Sequence, residues 1–210
     1  MPELPEVETL KRELNRALRG KKFSNAQILW VKTIQPLTAR KFNALIKDKK
    51  IISVDRRAKI LIFKLVERGS TSLNLLIHLK MTGQLIYEKS HRGSTLREPK
   101  VEPRWRFTRA IFHFTDGSRL LFNDLRKFGW IKIVNETDLP KIFGETGVEP
   151  LEREFTLTKF SAILDRYPKR KIKSLLLDQK LIAGLGNIYV DESCFLAGIL
   201  PTRIIKSLTL

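Results

Sequence analysis

Residues 1–9 of the chain read Met1-Pro2-Glu3-Leu4-Pro5-Glu6-Val7-Glu8-Thr9. They begin a run of apolar residues at helical spacing, Val7, Leu10, Leu14 and Leu18, and Gly20 is suited to end a helix. Proline and acidic residues are ordinary signals in the first turn of a helix. The stretch therefore predicts an amphipathic helix that packs one face against a core.

The same residues also carry the groups needed for covalent catalysis. If Met1 is removed, Pro2 presents a secondary amine next to the carboxylates of Glu3 and Glu6. An amine beside an acid can attack a masked aldehyde such as the C1′ atom of a sugar. Because a free α-amine has a pKa of about 7.7–8.0, roughly a tenth of it is neutral at pH 7. The nine residues alone leave both interpretations open.

The composition predicts a globular protein with a polyanionic partner. The 210 residues include 40 lysines and arginines against 22 acids, a net charge of +18. We see neither an apolar run of membrane-spanning length nor a basic amphipathic helix, and the N-terminus is unlike a signal peptide. The single cysteine, Cys194, excludes an internal disulfide and fits a reducing cytosol. We therefore expect a cytoplasmic protein.

Hydrophobic periodicity predicts an α+β protein with two domains. Alternating residues indicate strands at 22–34, 51–54, 60–66, 73–87, 106–115, 118–123 and 130–134. Helical spacing indicates helices at 38–48, 156–166, 170–178 and 187–197, and a polar loop is expected at 88–104. We predict an N-terminal β-sandwich domain at 1–135, flanked by the first helix, a hinge at 136–150 and a helical domain at 151–210.

Two loops combine basic residues with an exposed apolar tip. Met81 follows the strand that contains His78, and Phe128 lies close to Arg126 in a charged loop. A solitary histidine in a strand is usually structural, and a single exposed apolar residue means little. Two apolar tips beside basic residues fit a wedge that enters a DNA duplex, since enzymes that flip a base must fill the space it leaves.

Two further motifs are basic or rich in glycine. Arg56-Arg57-Ala58-Lys59 is either a solvated strand end or a phosphate-binding cluster. Gly184-Leu185-Gly186 precedes a helix that begins at Asn187, and such a helix start can bind a phosphate. A plain turn between two core helices explains the glycines about as well.

Taken together, these motifs resemble the formamidopyrimidine-DNA glycosylases, which are base-excision repair enzymes, over nearly the whole chain and in the same order. The resemblance implies a bifunctional DNA glycosylase and abasic-site lyase that removes oxidised purines such as 8-oxoguanine and formamidopyrimidines. It further implies a Schiff base on the N-terminal proline, β,δ-elimination, and a monomer that binds double-stranded DNA with oxidised or abasic lesions. The helical domain would hold a helix-two-turn-helix motif.

The resemblance also implies roles for individual residues. Pro2 would be the nucleophile and Glu3 the general acid, Glu6 would position the first helix, and Lys59 would bind the phosphate beside the lesion and assist catalysis. Glu192 would support the site. The residues expected to bind DNA are His78, Met81, Arg126, Phe128, Lys173 and Asn187. Among these, Met81, Arg126 and Phe128 match the family's void-filling triad, with Arg126 facing the orphaned base.

The sequence departs from the family pattern at its end. Family members continue for several tens of residues, with a loop that caps the flipped purine and a four-cysteine zinc hairpin. We therefore expect a truncated gene or a fragment, with no metal or cofactor bound by this chain. Two alternatives stay open: a DNA-binding remnant without catalysis, and an enzyme of the endonuclease VIII type for oxidised pyrimidines. The second is less favoured because Leu4 stands where that branch usually has glycine.

Overall fold

The computed structural model describes residues 1–66, 73–90 and 106–208. Its first helix, α1, spans Leu4–Leu18, with Glu3 as the N-cap. Val7, Leu14 and Leu18 face the core as their spacing predicts, and Gly20 ends the helix with a φ of +87°. Pro2 lies before the helix and not in its first turn, so its ring nitrogen is outside the helical hydrogen-bond ladder.

The strands form two antiparallel four-stranded sheets. One sheet has the order β2-β3-β4-β8 and the other the order β1-β6-β7-β5. The strands are β1 Phe23–Ile28, β2 Lys50–Arg57, β3 Ile60–Val66, β4 Leu73–His78, β5 Gly83–Glu88, β6 Thr108–Phe114, β7 Arg119–Asp124 and β8 Trp130–Asn135. Together with α1 and the helical domain described below, the two sheets confirm the α+β class and the sandwich.

Two of the predicted strands are wrong in extent. The strand expected at 22–34 ends at Ile28, and Val31–Ile34 forms a 3₁₀ turn. The strand expected at 73–87 is two strands in different sheets, β4 and β5, because the chain turns between them. The amide of Gly83 donates to the carbonyl of Leu79 at 2.9 Å in that turn. Most of the loop predicted at 88–104 lies outside the described residues.

The core of the sandwich takes apolar side chains from both sheets and two helices. The second helix, α2, spans Ala39–Ile46, and the hydroxyl of Thr38 caps it by accepting from the amide of Lys41. Fully buried rings from β1, α2, β3, β6 and β7 fill the centre: Phe23, Phe42, Phe63, Phe112 and Phe122. Burial of each such side chain contributes on the order of 1.5–3 kcal/mol.

The second half of the chain is helical. Its helices are α3 Leu139–Phe143, α4 Leu157–Arg166, α5 Ile172–Leu176 and α6 Asn187–Leu196. α5 is shorter than the helix predicted at 170–178, because residues 177–186 form turns that lead into α6. A separate apolar cluster includes Leu164, Leu175, Val190 and Cys194 and holds α4, α5 and α6 together.

The chain divides into two compact units. The first unit comprises Met1–Arg56 and Ile60–Leu139, and the second comprises Pro140–Leu210 together with Arg57–Lys59. The three residues Arg57–Lys59 thus group with the helical part, although the predicted domain at 1–135 includes them.

Candidate functional site

The residues that lead into α1 place a buried carboxyl group next to Pro2 in the chain. Glu3 is 1% exposed, whereas Pro2 is half-buried. The amide of Glu3 donates to Oε2 of Glu6 at 2.8 Å, and its carbonyl accepts from the amide of Val7 at 3.0 Å. Glu6 therefore fixes the main chain at the residue that follows Pro2. This geometry suits the positioning role that the family resemblance implies for Glu6.

Polar contacts fix α1 to strand β2. Arg56, whose side chain is 3% exposed, donates through Nε to Oε2 of Glu8 at 3.0 Å. Burial alone would raise the pKa of Glu8, but hydrogen bonds from Arg56, Arg12 and Lys11 outweigh it and lower that pKa. Further along α1, Oδ1 of Asn15 accepts from the amide of Val54 at 2.9 Å. Arg56 is thus a buried structural cation in the first unit and not a solvated strand end.

The two apolar loop tips are exposed, as the wedge hypothesis requires. Met81 is 43% exposed and Phe128 is 53% exposed. The guanidinium group of Arg126 lies 5.1 Å from the centre of the Phe128 ring. A cation over an aromatic face is attracted by the ring quadrupole, so the two side chains support each other. We call Met81, Arg126 and Phe128 the wedge.

A buried carboxylate ties the two wedge loops together. Asp124 is 1% exposed, and its Oδ1 accepts from the hydroxyl of Thr82, next to Met81. The same oxygen accepts from the amide of Arg126 at 3.2 Å, and Oδ2 accepts from the amide of Gly129 at 2.7 Å. A side chain at Gly129 would lie 2.6 Å from the ring of Phe122 and 3.1 Å from Oδ2 of Asp124, so glycine is required there.

His78 has a structural contact within the same region. Its Nδ1 accepts from the amide of Lys80 at 3.0 Å, and its ring lies 5.6 Å from that of Trp130. Lys80 has a φ of +53°, in the left-handed region that non-glycine residues seldom adopt. One nitrogen of His78 therefore stabilises the turn that carries Met81.

In the second unit, Lys59 contacts the glycine-rich turn. Its Nζ donates to the carbonyl of Leu185 at 2.7 Å, in the middle of Gly184-Leu185-Gly186. The predicted phosphate-binding lysine and the predicted phosphate-binding turn therefore meet within one unit.

The main chain before Lys59 is held by a buried acid that the sequence does not single out. Glu149 is 2% exposed and accepts from Nη1 of Arg57 at 3.2 Å and from the amide of Ala58 at 2.6 Å. Ala58 has a φ of +51°. Glu149 thus compensates for an unusual backbone conformation one residue before Lys59.

Gln179 holds the glycine-rich turn together. Its Oε1 accepts from the amide of Gly184 at 2.9 Å, and its Nε2 donates to the carbonyl of Leu185 at 2.8 Å. Gly184 has a φ of +93°, which explains a glycine at this point. The turn leads into α6, whose N-cap is Gly186. The side chain of Asn187 is exposed at the start of that helix.

The remaining predicted residues lie on α5 and α6. Nζ of Lys173 forms an ion pair with Oδ1 of Asp191 at 2.7 Å. Glu192 is exposed on α6. Lys173 therefore has an acidic partner in the absence of DNA, and a phosphate would compete with Asp191 for it.

No group of three or more histidine, cysteine, aspartate and glutamate side chains that could hold a metal ion occurs among residues 1–66, 73–90 and 106–208. A four-cysteine zinc hairpin cannot be built from this sequence, whose one cysteine, Cys194, is buried. Within the same ranges, no helix has both the length and the apolar character needed to cross a membrane.

Both halves of the chain match profiles of one protein family. Residues 1–131 match the profile of the formamidopyrimidine-DNA glycosylase N-terminal domain. Residues 146–210 match the profile of the formamidopyrimidine-DNA glycosylase H2TH domain, the helix-two-turn-helix domain predicted from the sequence.

Individual relatives agree with these profiles. The formamidopyrimidine-DNA glycosylase of Pelotomaculum thermopropionicum is 43% identical over 211 residues, which cover 100% of this chain and 71% of the relative. That of Cytobacillus firmus is 38% identical over 215 residues, which cover 100% of this chain and 72% of the relative. The chain thus spans about 71% of the length of such relatives.

Solved structures give the same result. Lactococcus lactis Fpg in complex with DNA that contains an abasic site superposes with a TM-score of 0.84 at 31% identity, covering 99% of this chain and 71% of that one. The same protein in complex with DNA that contains an oxidised pyrimidine superposes with a TM-score of 0.84, covering 99% of this chain and 73% of that one.

Proposed function

The chain belongs to the formamidopyrimidine-DNA glycosylase family, and we propose that it excises oxidised purines from double-stranded DNA and cleaves the abasic site that results. The observation that carries the proposal is the geometry at the start of α1. Glu3, which follows Pro2 directly, has a buried carboxyl group, and Glu6 holds its main chain. The N-terminal amine and its acid therefore have a fixed support, which a flexible terminus would lack.

The first chemical step requires the removal of Met1. While Met1 is attached, the nitrogen of Pro2 is part of a tertiary amide and has no nucleophilic lone pair. Once freed, the amine attacks C1′ of the flipped nucleotide, the electrons of the glycosidic bond leave with the base, and the base takes up the proton that the amine nitrogen loses. Glu3 donates a proton at the sugar, the sugar ring opens, and a cationic iminium joins the nitrogen of Pro2 to C1′.

Strand cleavage follows from the iminium. The positive charge acidifies the protons on C2′, and loss of one of them expels the 3′ phosphate by β-elimination. A second elimination, with loss of the C4′ proton, expels the 5′ phosphate, and water then hydrolyses the iminium and frees Pro2. The amine and the broken C–H bonds supply the electron pairs, and the departing base and phosphates carry electron pairs away, so no external oxidant or reductant is needed.

The other predicted residues would hold the DNA in a cleavable form. Met81, Arg126 and Phe128 would occupy the space of the flipped base, which offsets an unstacking cost of a few kcal/mol. Lys59, Lys173 and Asn187 would bind the backbone near the lesion. His78 would contact the DNA from the turn it supports, and Glu192 would support the site. Binding at Lys173 would replace the ion pair with Asp191 by a charge-assisted bond to phosphate.

Two alternative functions differ from this proposal in the base that is removed or in the absence of catalysis. The oxidised-pyrimidine complex of the Lactococcus lactis relative favours a second candidate function, the excision of oxidised pyrimidines by this chain. A folded protein that binds DNA without cleaving it is the other alternative.

One assay separates the three possibilities. Single-turnover cleavage is measured on otherwise identical duplexes that contain 8-oxoguanine, an oxidised pyrimidine or an abasic site. We expect cleavage of the 8-oxoguanine and abasic duplexes, and slower cleavage of the pyrimidine duplex. The isosteric control Glu3→Gln should lose base excision. Preference for the pyrimidine duplex would support the endonuclease VIII type, and binding of all three without cleavage would support the DNA-binding remnant.

A further inference from the structure

We propose that Trp30, Lys32 and Lys127 form an additional DNA-backbone contact surface next to the wedge. We call these three residues the tryptophan–lysine surface. The inference rests on the proposed function in one respect, namely that the partner is duplex DNA. All three residues belong to the first unit.

Trp30 brings the two lysines close together. Nζ of Lys127 lies 4.1 Å from the centre of the Trp30 ring, and Nζ of Lys32 lies 5.9 Å from it. The backbone amide of Trp30 donates to the carbonyl of Arg109 at 3.1 Å. Because an indole face attracts cations at such distances, the ring restrains both flexible side chains before any ligand binds. Less conformational entropy is then lost on binding than with free lysines.

The backbone of Lys127 is unusual. Its φ is +59°, in the region where glycine is the ordinary choice, although the side chain is exposed and not required for the core. Such outliers concentrate at functional sites, where the surrounding structure maintains them. Here the surrounding structure includes Asp124, which binds the amides of Arg126 and Gly129 on either side. Asp124, which holds the wedge loops, therefore also fixes the backbone on both sides of Lys127.

The charge and polarity of the surface identify its partner. Neither 29–35 nor 125–132 contains an acidic residue. Leu29 and Val31 flank Trp30 and are 46% and 50% exposed. Ammonium groups next to exposed apolar side chains match a polyanion whose phosphates alternate with apolar sugar faces. Lys127 lies between Arg126 and Phe128 in the chain, so this surface continues directly from the wedge. An acidic protein could also pair with the lysines, but such a partner would not explain why the surface adjoins the wedge.

The test measures how the affinity for duplex DNA depends on salt. On an undamaged duplex, Lys32→Gln and Lys127→Gln should each reduce the slope of log K against log salt by about 0.9, and the double variant by about 1.8. The matched control is Lys64→Gln, an exposed lysine that already pairs with Asp55 at 3.8 Å. It removes the same charge and should leave the slope as in the unaltered chain.

A variant of the ring tests the role of Trp30 separately. Trp30→Ala keeps both lysines, so it should weaken binding several-fold without the loss of slope seen in the double variant, and Trp30→Phe should restore part of the affinity. The proposal is overturned if the double variant has the same slope as Lys64→Gln, which is also the result expected if the surface binds an acidic protein. Because these measurements use undamaged DNA, failure of the proposed catalysis would leave them unchanged.

Discussion

At the scale of single residues, the Lys21–Asp116 ion pair makes the stability of the sandwich depend on pH. Burial alone would raise the pKa of Asp116, but hydrogen bonds from Lys21 and Ser118 dominate and lower that pKa to about 2. A carboxyl group with a lowered pKa stabilises the fold above its ordinary pKa of 3.8, and that contribution is lost as the pH falls toward 2. Because the side chain of Asp116 is 51% exposed, the contribution should be below about 1 kcal/mol.

We therefore predict that Asp116→Asn lowers the free energy of unfolding at pH 6 but has a smaller effect at pH 2.5. The introduced amide oxygen can still accept from Ser118, so the variant removes mainly the charge. Urea unfolding at the two pH values measures the difference. An equal destabilisation at both values would show that the ion pair contributes nothing specific.

The individual residues also show which parts of the site the sequence could predict. Local signals were reliable: the helical spacing at 38–48 predicts α2, Gly20 ends α1, and Met81 and Phe128 are exposed at loop tips. The reasons lie within a few positions along the chain, in capping and in backbone conformation.

Partners that are distant in sequence could not be predicted in this way. Glu149 binds the amide of Ala58, 91 positions away, and Asp124 binds the hydroxyl of Thr82, 42 positions away. Such pairs follow from the packing of the whole domain, and nothing near Glu149 or Asp124 marks them as buried acceptors. An acid beside an apolar stretch is a weak signal, because solvated acids occur in the same setting.

At the scale of elements, Asp124 at the end of β7 lies opposite Gly83 of β5, and its carboxylate binds both of the loops that meet at this end of the two strands. We predict that Asp124→Asn slows excision of 8-oxoguanine more than cleavage of an abasic site. The carboxylate of Asp124 accepts from the Thr82 hydroxyl and from the amides of Arg126 and Gly129. Whichever way the asparagine side chain is turned, its NH₂ group would face a donor that the carboxylate now binds, at a cost of roughly 1–3 kcal/mol. The wedge would then be less ordered, and extrusion of the damaged base would slow. Cleavage of an abasic site should suffer least, because no base has to leave the stack there.

The matched control for this variant is Asp138→Asn. It removes a carboxylate that accepts from the amide of Asn135 at 3.2 Å, away from the wedge loops. We expect its ratio of the two rates to equal that of the unaltered chain. If Asp124→Asn also leaves that ratio unchanged, the carboxylate does not act through the wedge.

The elements whose extents were mispredicted share one cause. Alternation of apolar residues continues through 73–87, yet the chain changes sheets at residues 79–82. Periodicity reports which residues are buried but not which sheet buries them. The positive φ of Lys80, which allows the turn, has no signal in the sequence, because lysine is an unusual residue for that conformation.

At the scale of the whole molecule, the net charge of +18 is concentrated further by the burial of acids. Asp124 and Glu149 are buried and hydrogen-bonded inside their own units, so neither carboxylate adds negative charge to the surface. We expect such a surface to attract DNA of any sequence, with a strength that depends on salt. Chemistry at a lesion must therefore come from particular groups, and we assign it to the amine of Pro2.

The most direct test of that assignment is borohydride trapping on a duplex with one abasic site, followed by mass spectrometry of the peptides. Borohydride reduces an imine to a stable amine, so it marks the nucleophile itself. We predict a single adduct on Pro2 in chains that have lost Met1. The same chain with an uncleaved N-terminal extension should form no adduct, because Pro2 is then an amide. An adduct on Lys59, or equal trapping by the extended form, would contradict the assignment of Pro2 as the nucleophile.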